Sequence, residues 1–154
     1  MPGKESFCEV AVRAVDLTKS LAAMASLLHE ACVLHHLEAL PCVAQLAGQG
    51  FMLGGLCYFL ATGLVPGHHP LDGGFTAHHR VLAHNALSDI HARGILHGDV
   101  RNENILIVSG HSTDTVIFID FGQAISVDGL DGKHVQARFT EEHGQLDEVL
   151  YLLD

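Results

Sequence analysis

Residues 96–122 read LHGDVRNENILIVSGHSTDTVIFIDFG and hold the most distinctive pattern of the chain. Polar and charged side chains crowd into its first part, between His97 and Asn104. Two short runs rich in β-branched residues follow, at 105–108 and 116–119, and they predict a pair of strands. If these strands form a hairpin, the polar loop before the first strand lies beside the end of the second.

Three oxygen-bearing side chains are then expected to converge, because Asp99 and Asn104 lie on the loop and Asp120 directly follows the second strand. Hard cations such as Mg²⁺ prefer oxygen ligands and are commonly shared with substrate phosphates. A further carboxylate that does not bind the metal can orient a hydroxyl nucleophile. Each residue alone also suits an ordinary turn, so the hypothesis of a phosphate-handling metal site depends on their joint spacing.

The overall charge limits the classes of partner. The chain has 154 residues with 8 Lys and Arg against 18 Asp and Glu, which gives a formal net charge of -10. This balance argues against nucleic acid or an anionic membrane as a partner of the whole surface. A local phosphate site stays open, since a divalent metal can neutralise phosphate where basic residues are scarce.

Cysteine usage and the amino terminus predict a reduced, cytoplasmic protein. The four cysteines are scattered, without a C-x-x-C pair, and MPGKESFCEV lacks the apolar core of a signal peptide.

Residues 39–67 carry no charge, but proline, glutamine and glycine interrupt them, so buried strands are favoured over a membrane span. The thirteen histidines show no zinc-ligand spacing, and the pairs at 68–69 and 78–79 are expected to face solvent.

Hydrophobic periodicity predicts a mixture of strands and helices. The alternating segment Glu9–Leu17 predicts a strand, and apolar residues at steps of three and four predict a helix from Ser20 to Leu40. The further predicted elements are strands near 43–52 and 56–62, a helix at 76–93, and the strands at 105–108 and 116–119. After an irregular stretch at 123–139, a last helix is expected to begin at Thr140. Its apolar stripe consists of Leu146, Val149, Leu150 and Leu153.

Two motifs resemble those of protein kinases. HGDVRNEN at 97–104 resembles the H-R-D-x-x-x-x-N catalytic loop, and DFG at 120–122 resembles the magnesium-binding motif of that family. ALSDIHARGILHGD at 86–99 is similar to the helix that leads into the catalytic loop. The resemblance implies an α+β fold with the two lobes of a protein kinase-like core.

The resemblance extends over about residues 8–125, in the order expected for a kinase. VAVR at 10–13 is similar to V-A-I-K, the strand with the ATP-binding lysine, and Glu30 falls where a helix glutamate would pair with it. LATGLVPG at 60–67 is similar to the hinge segment whose backbone holds adenine, with Thr62 as gatekeeper and Val65 as the main-chain contact. Residues 8–65 would form the small lobe and hinge, and residues 66–154 part of the large lobe.

The chemistry that the resemblance implies is phosphoryl transfer from Mg²⁺-bound ATP to a protein hydroxyl. Asp99 would orient the acceptor hydroxyl and take its proton, while Asn104 and Asp120 would hold the magnesium ion. Arg101 stands where serine/threonine kinases carry a lysine that contacts the transferred phosphate. Glu30 would fix the cation at position 13, so that Arg13 and Glu30 belong to the ATP-binding residues together with Val65.

The chain also departs from the kinase pattern. Arg13 replaces the lysine and Gly98 replaces the arginine of the catalytic loop. No Gly-rich phosphate loop lies before VAVR, and no A-P-E motif follows Asp120. The expectation is therefore one partial kinase-like domain over residues 1–154, curtailed at both ends.

Two classes of function follow from these features. Intact Asp99, Asn104 and Asp120 favour an active ATP-dependent kinase, and its expected target is serine or threonine. VRNEN at 100–104 is close to the protein-kinase pattern LKPEN, which favours protein substrates. HGD and IDFG also resemble aminoglycoside- and choline-type kinases, which act on small molecules. Arg13 and the missing phosphate loop favour a pseudokinase, a nucleotide-binding or interaction module without turnover.

Overall fold

The computed structural model describes residues 9–151, which contain both strands and helices. The elements are β1 (Val10–Asp16), α1 (Leu21–His36), β2 (Leu46–Met52), β3 (Cys57–Gly63), α2 (Ala77–Ala92), β4 (Ile95–Leu96), β5 (Ile105–Val108), β6 (Thr115–Phe118), β7 (Ile125–Ser126) and α3 (Gly132–Tyr151). A mixed α+β fold is thus confirmed.

The first half of the chain builds an antiparallel sheet in the order β1-β3-β2. Arg13 of β1 lies opposite Leu60 of β3. Between β1 and β2 the chain forms α1, whose amino terminus is capped where the Ser20 hydroxyl accepts a hydrogen bond from Ala23 N at 3.1 Å. The uncharged segment supplies β2 and β3, but the expectation of buried strands holds only for β3, because residues of β2 alternate between half-buried and exposed. Within residues 9–151 no helix has the length and apolarity needed to cross a membrane.

The predicted hairpin is present as β5 and β6, which pair antiparallel with Ile105 opposite Phe118. The ladder continues one step further, because Ile119 N donates to the carbonyl of Asn104 at 3.0 Å. The loop that precedes β5 and the chain that follows β6 are therefore held side by side. This contact places Asn104 next to the residue that precedes Asp120.

A continuous apolar cluster joins the hairpin to the helices. Its fully buried members include Phe118 and Phe121 from the hairpin region, Leu87 and Ile90 of α2, and Leu146 of α3. The amino terminus of α2 is capped by Thr76, whose hydroxyl accepts a hydrogen bond from His79 N. After α2, the short strand β4 pairs antiparallel with β7. Close packing of this kind holds the loop between β4 and β5 in one position.

The last helix begins earlier than expected. Residues 123–139 are not irregular throughout: they contain β7, and α3 starts at Gly132 and not at Thr140. The Asp131 carboxylate accepts hydrogen bonds from Lys133 N at 3.0 Å and His134 N at 3.2 Å, which satisfies the free amides at a helix start. Of the predicted apolar stripe, Leu146 and Leu150 are buried, whereas Leu153 lies outside the described residues.

Two other expectations need correction. The first helix ends at His36, four residues before Leu40, because the chain turns at Ala39, whose φ is 71°. The histidine pairs do not all face solvent, since His79 is buried and its Nε2 donates to Asp114 Oδ2 at 2.8 Å. His69 is half-buried, with Nδ1 donating to the carbonyl of Ile105 at 3.1 Å.

Candidate functional site

A cavity of about 260 Å³ lies between the first sheet and the β5–β6 hairpin. Its size is close to the lower limit of typical ligand pockets, about 300 Å³. The lining is mostly apolar, with a charged end. Five of the residues singled out from the sequence line it: Arg13, Glu30, Thr62, Val65 and Asp120. Asp99, Arg101 and Asn104 are not part of this lining.

Arg13 connects the two carboxylates at the charged end of the cavity. Its guanidinium forms an ion pair with Glu30 Oε2, and its NH1 atom lies 3.2 Å from Asp120 Oδ1. The other oxygen of Glu30 accepts a hydrogen bond from Phe121 N at 3.3 Å. The expected pairing of Arg13 with Glu30 is present, and Arg13 additionally contacts the aspartate that follows the hairpin.

The environment of Glu30 disfavours its charge. Only 2% of the Glu30 side chain is exposed, and this burial raises its pKa. The hydrogen bond and charge of Arg13 act in the opposite direction but do not fully offset burial, so the net pKa of Glu30 lies above its ordinary value. The stability of the charged end therefore depends on Arg13 staying in place.

The backbone of Asp120 has a φ of 64°, in the left-handed region that residues other than glycine rarely adopt. Its Oδ1 atom accepts from Arg13 and, at 3.4 Å, from Gly122 N. Backbone conformations of this kind cost free energy and are concentrated at functional sites. Both contacts use Oδ1, which leaves Oδ2 as the oxygen that can take a cation.

The loop before β5 joins Asp99 to Asn104. The buried Asn104 side chain donates from Nδ2 to the main-chain oxygen of Asp99 and to Asp99 Oδ2, both at 2.9 Å. These bonds fix the amide, so that its Oδ1 is the acceptor atom. Arg101 Nε lies 3.2 Å from Asp99 Oδ2 as well, and the Arg101 side chain is 56% exposed.

His97 ties this loop to the end of the hairpin. Its fully buried ring donates from Nε2 to the carbonyl of Ile119 at 3.1 Å and accepts at Nδ1 from Asp99 N at 3.3 Å. Burial lowers the pKa of His97 below its ordinary value, although the hydrogen bond that the ring donates to the carbonyl of Ile119 acts in the opposite direction. A neutral imidazole with the proton on Nε2 satisfies both bonds, and it holds Asp99 beside the strand that leads to Asp120.

Glu142 of α3, which no sequence pattern indicates, is buried at the same loop. Glu142 Oε1 accepts from Gly98 N at 2.7 Å, and Oε2 accepts from His97 N at 3.0 Å and from His91 Nε2 at 2.7 Å. Burial raises the pKa of Glu142, but its hydrogen bonds together outweigh burial and the net pKa is lowered. The sequence carries no signal for this role, since two of the three partners are backbone amides.

Gly98 is required by the local packing. Its φ is 80°, and a Cβ atom at this position would lie 2.0 Å from the carbonyl oxygen of Gln123. The arginine that kinases carry here is therefore excluded by geometry. The turn can approach residue 123 this closely only because glycine has no side chain.

The donor set fits a hard cation. Carboxylate and amide oxygens of Asp120 and Asn104 are the ligand type that Mg²⁺ prefers. Among residues 9–151, no group of three or more His, Cys, Asp or Glu side chains is arranged to hold a metal ion. A magnesium ion at Asn104 and Asp120 would accordingly need other oxygen ligands, such as water or the phosphates of a nucleotide.

The sequence was also compared with known proteins. Neither the models of known protein families nor the curated proteins provide a match.

Proposed function

We propose that this chain is a protein kinase-like phosphotransferase that binds Mg²⁺ and ATP and transfers the γ-phosphate to a serine or threonine hydroxyl of a protein. The fold we propose is the two-lobed kinase core, with the cavity between the lobes. One observation carries the proposal: Arg13, Glu30 and Asp120 meet at the charged end of an apolar cavity. These three residues come from β1, α1 and the end of the hairpin, far apart in the chain.

Apolar and charged parts of the cavity suit the two parts of a nucleotide. Leu60, Ala44 and Leu106 give an apolar surface for a base, and the chain at Val65 gives backbone groups beside it. Arg13 supplies positive charge toward phosphates at the other end. Bound Mg²⁺ would neutralise further phosphate charge there, held by Asn104 Oδ1 and Asp120 Oδ2.

Asp99 is the residue we assign to the acceptor hydroxyl. Its contacts with Asn104 Nδ2 and Arg101 Nε are both made through Oδ2. Oδ1 can therefore accept the proton that leaves the hydroxyl when its oxygen bonds to phosphorus and the bond to ADP breaks. Arg101, largely exposed beside Asp99, is suited to contact the transferred phosphate.

Two specific observations support alternatives. Arg13 already satisfies Glu30 and Asp120, an arrangement that stabilises the site without a nucleotide and favours a pseudokinase. The close approach of Gly98 to Gln123 favours the HGD loop of aminoglycoside- and choline-type kinases, and therefore a small-molecule substrate. Asp99 and Asn104 are both present and hydrogen-bonded to each other, which favours an active kinase over a pseudokinase.

Transfer of label from ATP tests the proposal. The full chain would be incubated with Mg²⁺ and ATP labelled in the γ-phosphate, with a library of serine- and threonine-containing peptides as acceptors. We expect labelled peptide with the wild type and none with Asp99→Asn. The matched control is Asp89→Asn, an exposed aspartate of α2, which should leave transfer unchanged. Nucleotide binding without transfer would favour the pseudokinase, and labelling of an aminoglycoside or choline instead of peptide would favour the small-molecule kinase.

A further inference from the structure

A chain of four polar side chains connects α2 to α3 away from the cavity. Ser88 Oγ lies 3.3 Å from His143 Nε2, His143 Nδ1 lies 2.9 Å from His84 Nδ1, and His84 Nε2 lies 2.9 Å from Asp147 Oδ1. The two imidazole rings are stacked, with an angle of 17° between their planes. His84 and Ser88 belong to α2, and His143 and Asp147 to α3.

The contact between the two Nδ1 atoms restricts the number of protons that the chain can hold. Because a carboxylate only accepts, His84 Nε2 must carry a proton and donate it to Asp147. With both rings neutral, His143 Nδ1 donates to His84 Nδ1, and the Ser88 hydroxyl donates to His143 Nε2. With one added proton, His84 donates from both nitrogens, and His143 Nε2 donates to Ser88.

A second added proton cannot be accommodated. Both Nδ1 atoms would then carry hydrogens and face each other, and two positive rings would be stacked. The contact at 2.9 Å would become a repulsion between like charges in a partly buried position. Acid must therefore separate the rings.

The groups around His143 determine the pH at which the two rings separate. His91 of α2 faces His143 edge-on with ring centroids 5.1 Å apart, and the carboxylates of Glu142 and Asp147 lie on α3. The strand β4, which also contacts α3, brings only the apolar Ile95 and Leu96. Burial lowers the pKa of His143, the charges of His91 and His84 lower it further, and the two carboxylates oppose this only in part.

We propose that the chain Ser88–His143–His84–Asp147 is an acid-sensitive latch that holds α3 on α2 and opens when both imidazoles are protonated. The latch is next to the loop that carries Asp99, because Glu142 precedes His143 and accepts from His97 N and Gly98 N. Opening at acidic pH would loosen those bonds. Control of the loop rests on the proposed function, whereas the latch itself does not.

Amide hydrogen exchange on the full chain tests the latch without any nucleotide. The protection of α3 amides at 140–150 would be measured between pH 7.5 and 5.0 and corrected for the intrinsic exchange rate. We expect the protection factors to fall by about tenfold or more toward pH 5.0, because the hydrogen bonds of the latch to a charged group are then lost. In His143→Gln, which cannot titrate, protection should no longer depend on pH in this range.

Matched variants separate the latch from other histidines. His35→Gln alters an exposed histidine of α1 and should keep the wild-type pH response. His84→Gln, the second variant, should lose that response as His143→Gln does. Constant protection of α3 in the wild type down to pH 5.0 would overturn the proposal, as would a full pH response retained in both glutamine variants. Neither result would bear on phosphotransfer.

Discussion

Gly98 N lies 2.7 Å from Glu142 Oε1, so a carboxylate 44 residues further along the chain holds the turn that presents Asp99. The second oxygen of Glu142 holds the preceding amide, that of His97. The position of the proposed catalytic aspartate therefore depends on α3 as much as on its own loop. This dependence makes the buried glutamate and the turn glycine the most informative structural positions to change.

Substitution of Gly98 should be more costly than substitution of another glycine with the same backbone. Gly98 and Gly129 have φ of 80° and 83°, but only Gly98 would place a Cβ atom against backbone, 2.0 Å from Gln123 O. We expect Gly98→Ala to lower the free energy of unfolding by about 1–3 kcal/mol more than Gly129→Ala. Urea denaturation of both variants measures this difference. Equal losses of unfolding free energy in the two variants would mean that the turn at Gly98 can move to accommodate a Cβ atom, and would contradict this prediction.

Glu142 should contribute stability that depends on pH in a defined direction. Its folded-state pKa is lowered, so the stabilisation is present above the ordinary glutamate value of about 4.3 and is lost as the pH falls through the lower folded value. Glu142→Gln should remove this acid-dependent part and lower the free energy of unfolding at pH 7 by about 1.5–3 kcal/mol.

Denaturation at several pH values between 3 and 7 would measure this effect. Glu148→Gln, an exposed carboxylate of the same helix, is the control and should retain the wild-type pH profile. An unchanged profile in Glu142→Gln would show that its hydrogen bonds contribute nothing beyond those of an amide.

Removal of Arg13 should destabilise the protein through Glu30. With 2% of its side chain exposed, Glu30 would lose its only cationic partner among the described residues. We expect Arg13→Met to cost about 1–3 kcal/mol, and the double variant with Glu30→Gln to recover part of that loss, because a buried amide costs less than an unpaired carboxylate. A double-mutant cycle from urea denaturation gives the coupling. Purely additive losses would contradict the importance of this ion pair.

The two aspartates should separate binding from transfer. Asp120→Asn removes a proposed metal ligand and should weaken Mg-ATP binding by about tenfold or more, whereas Asp99→Asn should leave binding nearly unchanged and remove transfer. Calorimetry and the labelling assay measure the two effects on the same preparations. Weakened binding in Asp99→Asn, or full binding in Asp120→Asn, would require the roles to be reassigned.

Local patterns predicted the parts of the fold that depend on neighbouring residues. Alternation and β-branched residues were sufficient for the β5–β6 hairpin, and the spacing of apolar residues for α1 and α2. The pairing of Arg13 with Glu30 followed from the kinase resemblance and is present. The hairpin and the two helices have a signature in residue type and spacing, whereas the ion pair was implied only by the kinase-like motifs.

The parts that the sequence did not predict depend on distant backbone or on a single partner. No sequence pattern singles out Glu142, because its partners include the backbone amides of His97 and Gly98, which no residue type reveals. His79 was expected to face solvent beside a loop rich in glycine and proline, but it is buried against Asp114, which lies 35 residues away in the sequence. Tertiary contacts of this kind decide burial independently of local pattern.

Calorimetric titration of the full chain with ATP, in the presence of Mg²⁺ and again with chelator, decides whether Asn104 and Asp120 form a magnesium site. Without a cation, phosphate oxygens would meet the carboxylates of Asp99 and Asp120, and with Mg²⁺ they would share it with Asn104 and Asp120. We expect the affinity for ATP to be higher by about tenfold or more with Mg²⁺ than with chelator. Equal affinity under both conditions would contradict the magnesium site, and no binding under either would contradict the nucleotide site as a whole.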